Sequence, residues 1–249
     1  MYILSIDTTA KTATVAVSKS DENKSVVPVC TMTVANTLTH SESILPMVHK
    51  SLEFSRLDIK DIDILAVSEG PGSFTGVRIG IATVKGLAFG NDKIKAVSVS
   101  ALEALAHNVD DAPKNTLICC CMDARRNQFY NALFKSDGTG NIKRLCKDRA
   151  VSFDELKDEL LQKYKSRKIL LVGDGANLAY NLFLQGEYTY KLKINLARTD
   201  RQIQNAYSVA KVAVLRFDEN KEYSAQTLSP MYLRQSQAER ERNQRMSKV

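Results

Sequence analysis

The sequence predicts an α/β protein of two similar lobes, each a mixed sheet covered by helices. Three observations predict it. The order β-β-β-α-β-α-β-α, read from apolar periodicity, occurs twice along the chain. Residues 62–90 read as a buried strand, a glycine loop and a helix, the kind of unit that links parallel strands. The 249 residues, 44% hydrophobic and 25% charged, suffice for one large core or two smaller ones.

In chain order, residues 2–7 form an apolar strand ending on a carboxylate, and Asp7-Thr8-Thr9 makes the turn. Residues 13–18 and 26–34 alternate as strands. Thr39-His40-Ser41-Glu42 reads as a capping box. The helix after it places Ile44, Leu45, Val48 and Leu52 on one face, and Pro46 is tolerated there only within the first turn. Strand 62–67 and helix 75–89 follow, then a strand over 94–99 and a short helix that Ser100 caps and that runs through Ala106.

The second half has strands at 116–122 and 127–134 around the Ala124-Arg125-Arg126 turn, and a third strand within 142–151. Ser152 caps helix 153–164, with Phe153, Leu156, Leu160 and Leu161 inward. Strand 168–172, the turn Gly173-Asp174-Gly175-Ala176, helix 177–184, strand 191–196 and helix 203–217 complete it. These spans divide the chain into a first lobe, 1–108, and a second, 109–202. The last helix is expected to return to the first lobe, and the basic tail, 234–249, is expected to be flexible.

Net charge is +7, partly from Arg234, Arg240, Arg242, Arg245 and Lys248 in the tail, which reads first as a frayed, solvated end and second as an electrostatic contact with RNA or an acidic partner. No apolar run approaches the ~20 residues of a membrane span, and no signal peptide is visible at the start. Five cysteines without a Cys-x-x-Cys pair predict reduced, buried thiols in a cytoplasmic protein.

The glycine loop supports two readings. Gly70, Pro71 and Gly72 before a helix capped by Ser73 or Thr75 can cradle a phosphate, although neither a dinucleotide fingerprint nor a P-loop is present. Alternatively, Gly76 and Gly80, four apart on one flattened helix face, admit a neighbouring backbone or a partner helix. No Gly-x-Ser-x-Gly elbow occurs, and His40 and His49, nine apart, point to opposite faces. Asp7 serves either as a general base or as the organiser of its own turn.

Two lobes with an Asp-Thr-Thr turn after the first strand resemble the actin-like ATPase superfamily. The resemblance implies two ribonuclease-H-like lobes, with Asp7, Thr8, Thr9, Gly173 and Gly175 near a nucleotide. Four segments are similar to one family, bacterial TsaB, also called YeaZ: Ile3-Leu4-Ser5-Ile6-Asp7-Thr8-Thr9; His40-Ser41-Glu42 with Leu45-Pro46; Gly70 to Gly80 with Lys85-Gly86-Leu87-Ala88; and Asp123-Ala124-Arg125-Arg126 with Pro230-Met231-Tyr232-Leu233-Arg234. The resemblance implies a subunit of the machine that forms threonylcarbamoyladenosine beside the anticodon of tRNAs reading A-starting codons. Its partners would be a catalytic paralogue, TsaD, a small ATPase, TsaE, and tRNA through the complex, with a homodimer as an alternative.

The family's interface joins first-lobe helices of both paralogues. Here that implies a face of Ser41, Ile44, Leu45, Met47, Gly76, Arg78, Gly80 and Lys85. The paralogue holds metal with two histidines four apart on the helix after the fifth strand. Ala101 and Leu105 stand at the matching positions, and neither can ligate. No catalytic residue, metal site or firmly held cofactor is therefore expected, with ATP or ADP and magnesium left to the partner interface. The competing expectation is a stand-alone nucleotide-dependent enzyme of the superfamily. A protease has no nucleophile–base pair to support it.

Overall fold

A computed structural model describes residues 1–35, 39–125 and 127–234. The first lobe runs β1 (Tyr2–Asp7), β2 (Ala13–Ser20), β3 (Val26–Val34), α1 (His40–Ser55), β4 (Ile64–Gly70), α2 (Phe74–Ala88), β5 (Lys95–Ser100) and α3 (Ala101–Ala106). Its five strands lie in the order β3-β2-β1-β4-β5. β1 pairs antiparallel with β2 and parallel with β4, because a turn reverses the first link and a helical crossover makes the second.

The second lobe runs β6 (Leu117–Asp123), β7 (Gln128–Ser136), β8 (Ile142–Arg144), β9 (Arg149–Ser152), α4 (Phe153–Lys163), β10 (Lys168–Val172), α5 (Ala176–Gln185), β11 (Lys193–Leu196) and α6 (Ala206–Arg216). Its strand order is β11-β10-β6-β7-β8, with β9 also on β7. The single strand expected within 142–151 is thus two. The chain leaves β7 between Arg144 and Arg149, where the Cys146 thiol meets the Leu133 amide at 3.2 Å.

The layers follow from which faces are apolar. α1 and α2 cover one side of the first sheet, where Ile44, Met47, Val48, Val77, Ile81 and Val84 close on Leu4, Ile6, Leu65 and Val67. α6 covers the other side, setting Val209, Ala210, Val212 and Ala213 on Ile3, Ile64 and Ala66. α3 follows the first sheet in sequence but seats Leu102, Leu105 and Ala106 on Ile118, Cys120 and Phe134 of the second. α3 and α6 are therefore layered between the sheets, each beside the other lobe's helix. α4 and α5 cover the far side of the second sheet.

Charge fixes this junction. Glu103 on α3 accepts from Arg144 at 2.8 Å and also from Arg216 on α6. Lys211 donates to the His107 carbonyl at 2.6 Å and pairs with Asp110. Buried beside them, the His107 imidazole is pushed down to about 4, first by burial and then by Lys211.

Helix starts follow the predicted caps. Glu42 accepts from the Thr39 amide and hydroxyl, each at 2.8 Å. Ser73, Ser100 and Ser152 accept from the third amide of their helices. Pro46 falls in the second turn of α1, not the first, so the Glu42 carbonyl lacks its usual helical donor. All five cysteines are free, and Cys119, Cys120 and Cys121 are buried. Among the described residues, no helix is long and apolar enough to cross a membrane. Arg126 and residues 235–249 of the expected tail lie outside the described residues.

Candidate functional site between the lobes

A cleft of about 460 Å³ opens between the lobes at the ends of β1 and β6. Thr9, Ala10, Lys11, Gly72 and Ser73 line it from the first lobe, and Asp123, Arg125, Tyr130 and Asp174 from the second. The parallel strands end here, where open α/β sheets place ligands.

The first wall is built from β1 outward. Asp7 is fully buried, and its two oxygens are already engaged: one accepts from the Thr9 amide at 2.8 Å and the Thr9 hydroxyl at 2.7 Å, the other from Ser68 at 2.5 Å. Burial raises its carboxyl above the usual range, and these hydrogen bonds oppose that. Thr8 donates to the Gly76 carbonyl at 2.7 Å, and the Thr9 carbonyl accepts the Ser73 amide at 2.6 Å. This is a turn ordered by its own carboxylate. The Thr8 and Thr9 hydroxyls and the Thr9 amide are engaged within the chain itself.

The glycine loop and helix complete that wall by close contact. A Cβ on Gly72 would strike the Thr9 carbonyl, and one on Gly76 the Thr8 carbonyl. One on Gly80 would sit 2.6 Å from the Thr8 hydroxyl. Of the two readings of this loop, the structure shows intramolecular approach: the flat face of α2 receives the chain's own Asp-Thr-Thr turn.

The second wall uses its glycines similarly. Gly173, at φ +114°, presses on the Cys121 carbonyl, and the Gly175 amide donates to the same oxygen at 3.0 Å. That bond turns Asp174 into the cleft. Its residue is exposed by area because one edge is open, yet protein crowds the remainder, and its carboxyl is pushed up to about 6. Burial is the main cause, the Asp123 amide opposes it, and the Asp123 and Asp7 charges add to it. Asp123 orders its own turn, accepting from the Arg125 amide at 2.7 Å and pairing with its guanidinium at 3.3 Å.

Because Asp174 titrates higher folded than unfolded, its charge destabilises the fold once pH rises through about 6. We expect Asp174→Asn to match the parent at about pH 4 and to exceed its stability at about pH 8, as read by urea unfolding at both.

The expected partner face is only partly surface. Ile44 and Met47 are 1% and 4% exposed and belong to the core under α1, because the face of α1 turned to β2 takes them. Gly76 and Gly80 are buried against Thr8. Those four positions are buried within this chain. Ser41, Leu45 and Arg78 are exposed, and Lys85 is half-buried, donating to the Gln226 carbonyl at 3.1 Å. Arg78 lies 4.0 Å over the Phe74 ring and donates to the Tyr232 hydroxyl at 2.7 Å. Sequence reasoning passed over Ala82 and Gly86, which complete the outward stripe of α2; a Cβ on Gly86 would meet nothing. Helical spacing from Arg78 could have found them.

Ala101 and Leu105 are 0% and 1% exposed within apolar contacts. His40 turns toward the cleft wall, its ring nitrogen 2.7 Å from the Ala10 carbonyl, whereas His49 is exposed beside Glu53 on α1. Among the described residues, no three His, Cys, Asp or Glu side chains converge as metal ligands.

A family model described as TsaD, tRNA N6-adenosine threonylcarbamoyltransferase, matches residues 26–242. The Escherichia coli K12 protein named tRNA threonylcarbamoyladenosine biosynthesis protein TsaB is 30% identical over 240 residues, covering 96% of each chain. Its Bacillus subtilis 168 namesake is 34% identical over 72% of this chain and 73% of that one. The chain belongs to the TsaB/YeaZ family. Membership ties it to threonylcarbamoyladenosine biosynthesis in tRNA. The structure of YeaZ from Pseudomonas aeruginosa has a TM-score of 0.69 at 21% identity, covering 93% of this chain and 99% of that one. The likeness shows a shared fold of two lobes, each a mixed sheet covered by helices.

Proposed function

We propose that this chain is a non-catalytic, activating subunit that binds a TsaD-type paralogue in the complex forming threonylcarbamoyladenosine in tRNA. One observation carries the reading: where that paralogue needs two metal-ligating histidines, Ala101 and Leu105 are buried aliphatic side chains that seat α3 on the second sheet. Converting that seat into a metal centre would remove apolar contact from the junction of the lobes. The engaged oxygens of Asp7 agree with this division of labour. ATP or ADP with magnesium then belongs at the partner interface rather than to this chain alone. A TsaE-type ATPase joins the assembly, which works in the cytoplasm.

The docking face we assign is the outward side of α1 and α2: Ser41, Leu45 and His49 on one helix, Arg78, Ala82, Lys85 and Gly86 on the other. Leu45 is a large apolar side chain, 53% exposed. The small Ala82 and Gly86 allow close helix approach. In the absence of the paralogue the same stripe would pair with a second copy.

Reconstitution tests the reading. With the paralogue, the ATPase, ATP, threonine, bicarbonate and tRNA, the chain should be required, and alone it should modify nothing. Modification by the purified chain alone would overturn it. Leu45→Asp, on an exposed position, should leave the unfolding midpoint unchanged. It should weaken paralogue binding by about 2 kcal/mol, roughly thirtyfold in Kd, as read by calorimetry.

The second reading, a stand-alone nucleotide-dependent enzyme, is favoured by Lys11, Arg125 and Asp174 all lining the cleft. Magnesium-ATP binding to the isolated chain, measured by calorimetry and lost in Lys11→Ala, would support it over the first.

A further inference from the structure

A second site lies at the far end of the second lobe. Two segments, Lys163-Tyr164-Lys165-Ser166-Arg167-Lys168 and Tyr188-Thr189-Tyr190-Lys191-Leu192-Lys193, lead into β10 and β11. Each is closed by a backbone hydrogen bond of 2.9 Å, from the Arg167 amide to the Tyr164 carbonyl and from the Lys191 amide to the Tyr188 carbonyl. The parallel register sets Lys168 beside Lys193. Neighbouring strands lie about 4.8 Å apart, so the two lysines stand at the separation where like charges repel.

Among the described residues, the ion pairs of this region are Lys157 with Asp154 and Asp158, Lys163 with Glu159, and Arg149 with Glu159. Lys165, Arg167, Lys168, Lys191 and Lys193 form none, and all but the half-buried Arg167 are exposed. Aromatic rings are interleaved. Tyr188 has Lys157 and Lys191 at 5.4 and 6.0 Å from its ring centre, Arg167 lies 6.0 Å from that of Tyr164, and Tyr190 is 90% exposed. Ile169, Leu192 and Ile194 are buried beneath and hold the two segments in place.

Unpaired cations held close together cost stability unless a polyanion covers them, and exposed tyrosines among them offer stacking faces to unpaired bases. We propose that this patch is a tRNA-binding surface, with Lys165, Lys168, Lys191 and Lys193 on backbone phosphates and Tyr190 against a base or ribose. The inference rests on the reading that the chain works in a complex acting on tRNA. β10 separates the patch from the cleft by about 15 Å, at about 3.3 Å per residue, and it lies on the lobe opposite the α1–α2 stripe. RNA and paralogue could therefore be held together without competing for surface.

The test uses the full chain and an unmodified tRNA transcript, with filter retention read across a potassium chloride series. The variant carrying Lys165→Ala, Lys168→Ala, Lys191→Ala and Lys193→Ala should bind at least about tenfold more weakly, and its log–log salt slope should fall by about 3. The same four positions changed to Arg should retain both affinity and slope. Tyr190→Ala should weaken binding about fivefold without altering the slope, since stacking carries no counterion release.

An alanine variant that binds tRNA within about twofold of the parent, with the same slope, overturns the proposal. So does a parent that retains no tRNA, or a variant that loses an acidic protein partner while keeping tRNA. Paralogue binding is measured in parallel. If the parent fails to bind the paralogue while the alanine variant still loses tRNA, the subunit reading fails and the patch stands.

Discussion

Gly76→Ala is expected to destabilise the protein by about 3 kcal/mol, whereas Gly86→Ala, on the same helix, should stabilise it by up to about 1 kcal/mol. Intrinsic helix propensity favours alanine equally at both positions, so the difference belongs to tertiary contact. At Gly76 the new methyl would strike the Thr8 carbonyl, a backbone atom that cannot swing aside. The Thr8 hydroxyl bond to the Gly76 carbonyl holds the two together, so α2 would have to lift away from the turn. At Gly86 the methyl meets nothing within 4 Å. Gly80→Ala should fall between, because the atom in its way is the Thr8 side-chain oxygen at 2.6 Å. Urea unfolding of the three variants decides this. Equal stabilisation at Gly76 and Gly86 would show that the turn does not press on α2.

Asp7→Ala is the second large effect. It leaves the Thr9 amide and the Thr9 and Ser68 hydroxyls without their acceptor inside a fully buried site. The hydroxyls can rotate toward other acceptors, but the amide cannot, so the expected loss is about 3 kcal/mol. Asp7→Asn keeps one oxygen for Thr9 and lets Ser68 accept instead of donate, and should cost about 1 kcal/mol.

The pH dependence separates the two variants further. Burial raises the folded carboxyl of Asp7, so ionisation weighs against the parent as pH rises, while Asn carries no such charge. The Asp7→Asn variant should therefore gain on the parent between acid and neutral pH, as read by paired unfolding curves. An Asp7→Ala protein as stable as the parent but unable to bind magnesium-ATP would instead show that Asp7 serves a ligand.

Much of the fold was legible because local signals and tertiary context agreed. Short apolar runs bounded by turns became strands, and the serine caps at 73, 100 and 152 each found their amide. Legibility failed where a residue's role depends on which neighbour arrives. Ile44 and Leu45 are adjacent and both aliphatic, yet one is 1% and the other 53% exposed. Gly76, Gly80 and Gly86 lie on one helix, and only the placement of β1 decides that two of them face inward. The Lys–Tyr segments before β10 and β11 are far apart in the chain, and only the strand register sets them side by side.

The sequence by itself determined the family and the doubled α/β pattern, since these depend on residue type and order. Only the tertiary structure decided that the flat face of α2 receives the chain's own turn, that Asp7 orders that turn, and that α3 and α6 cross between the lobes. Those outcomes depend on distances between segments far apart in the chain, and contact between such segments is set by how whole faces are buried together.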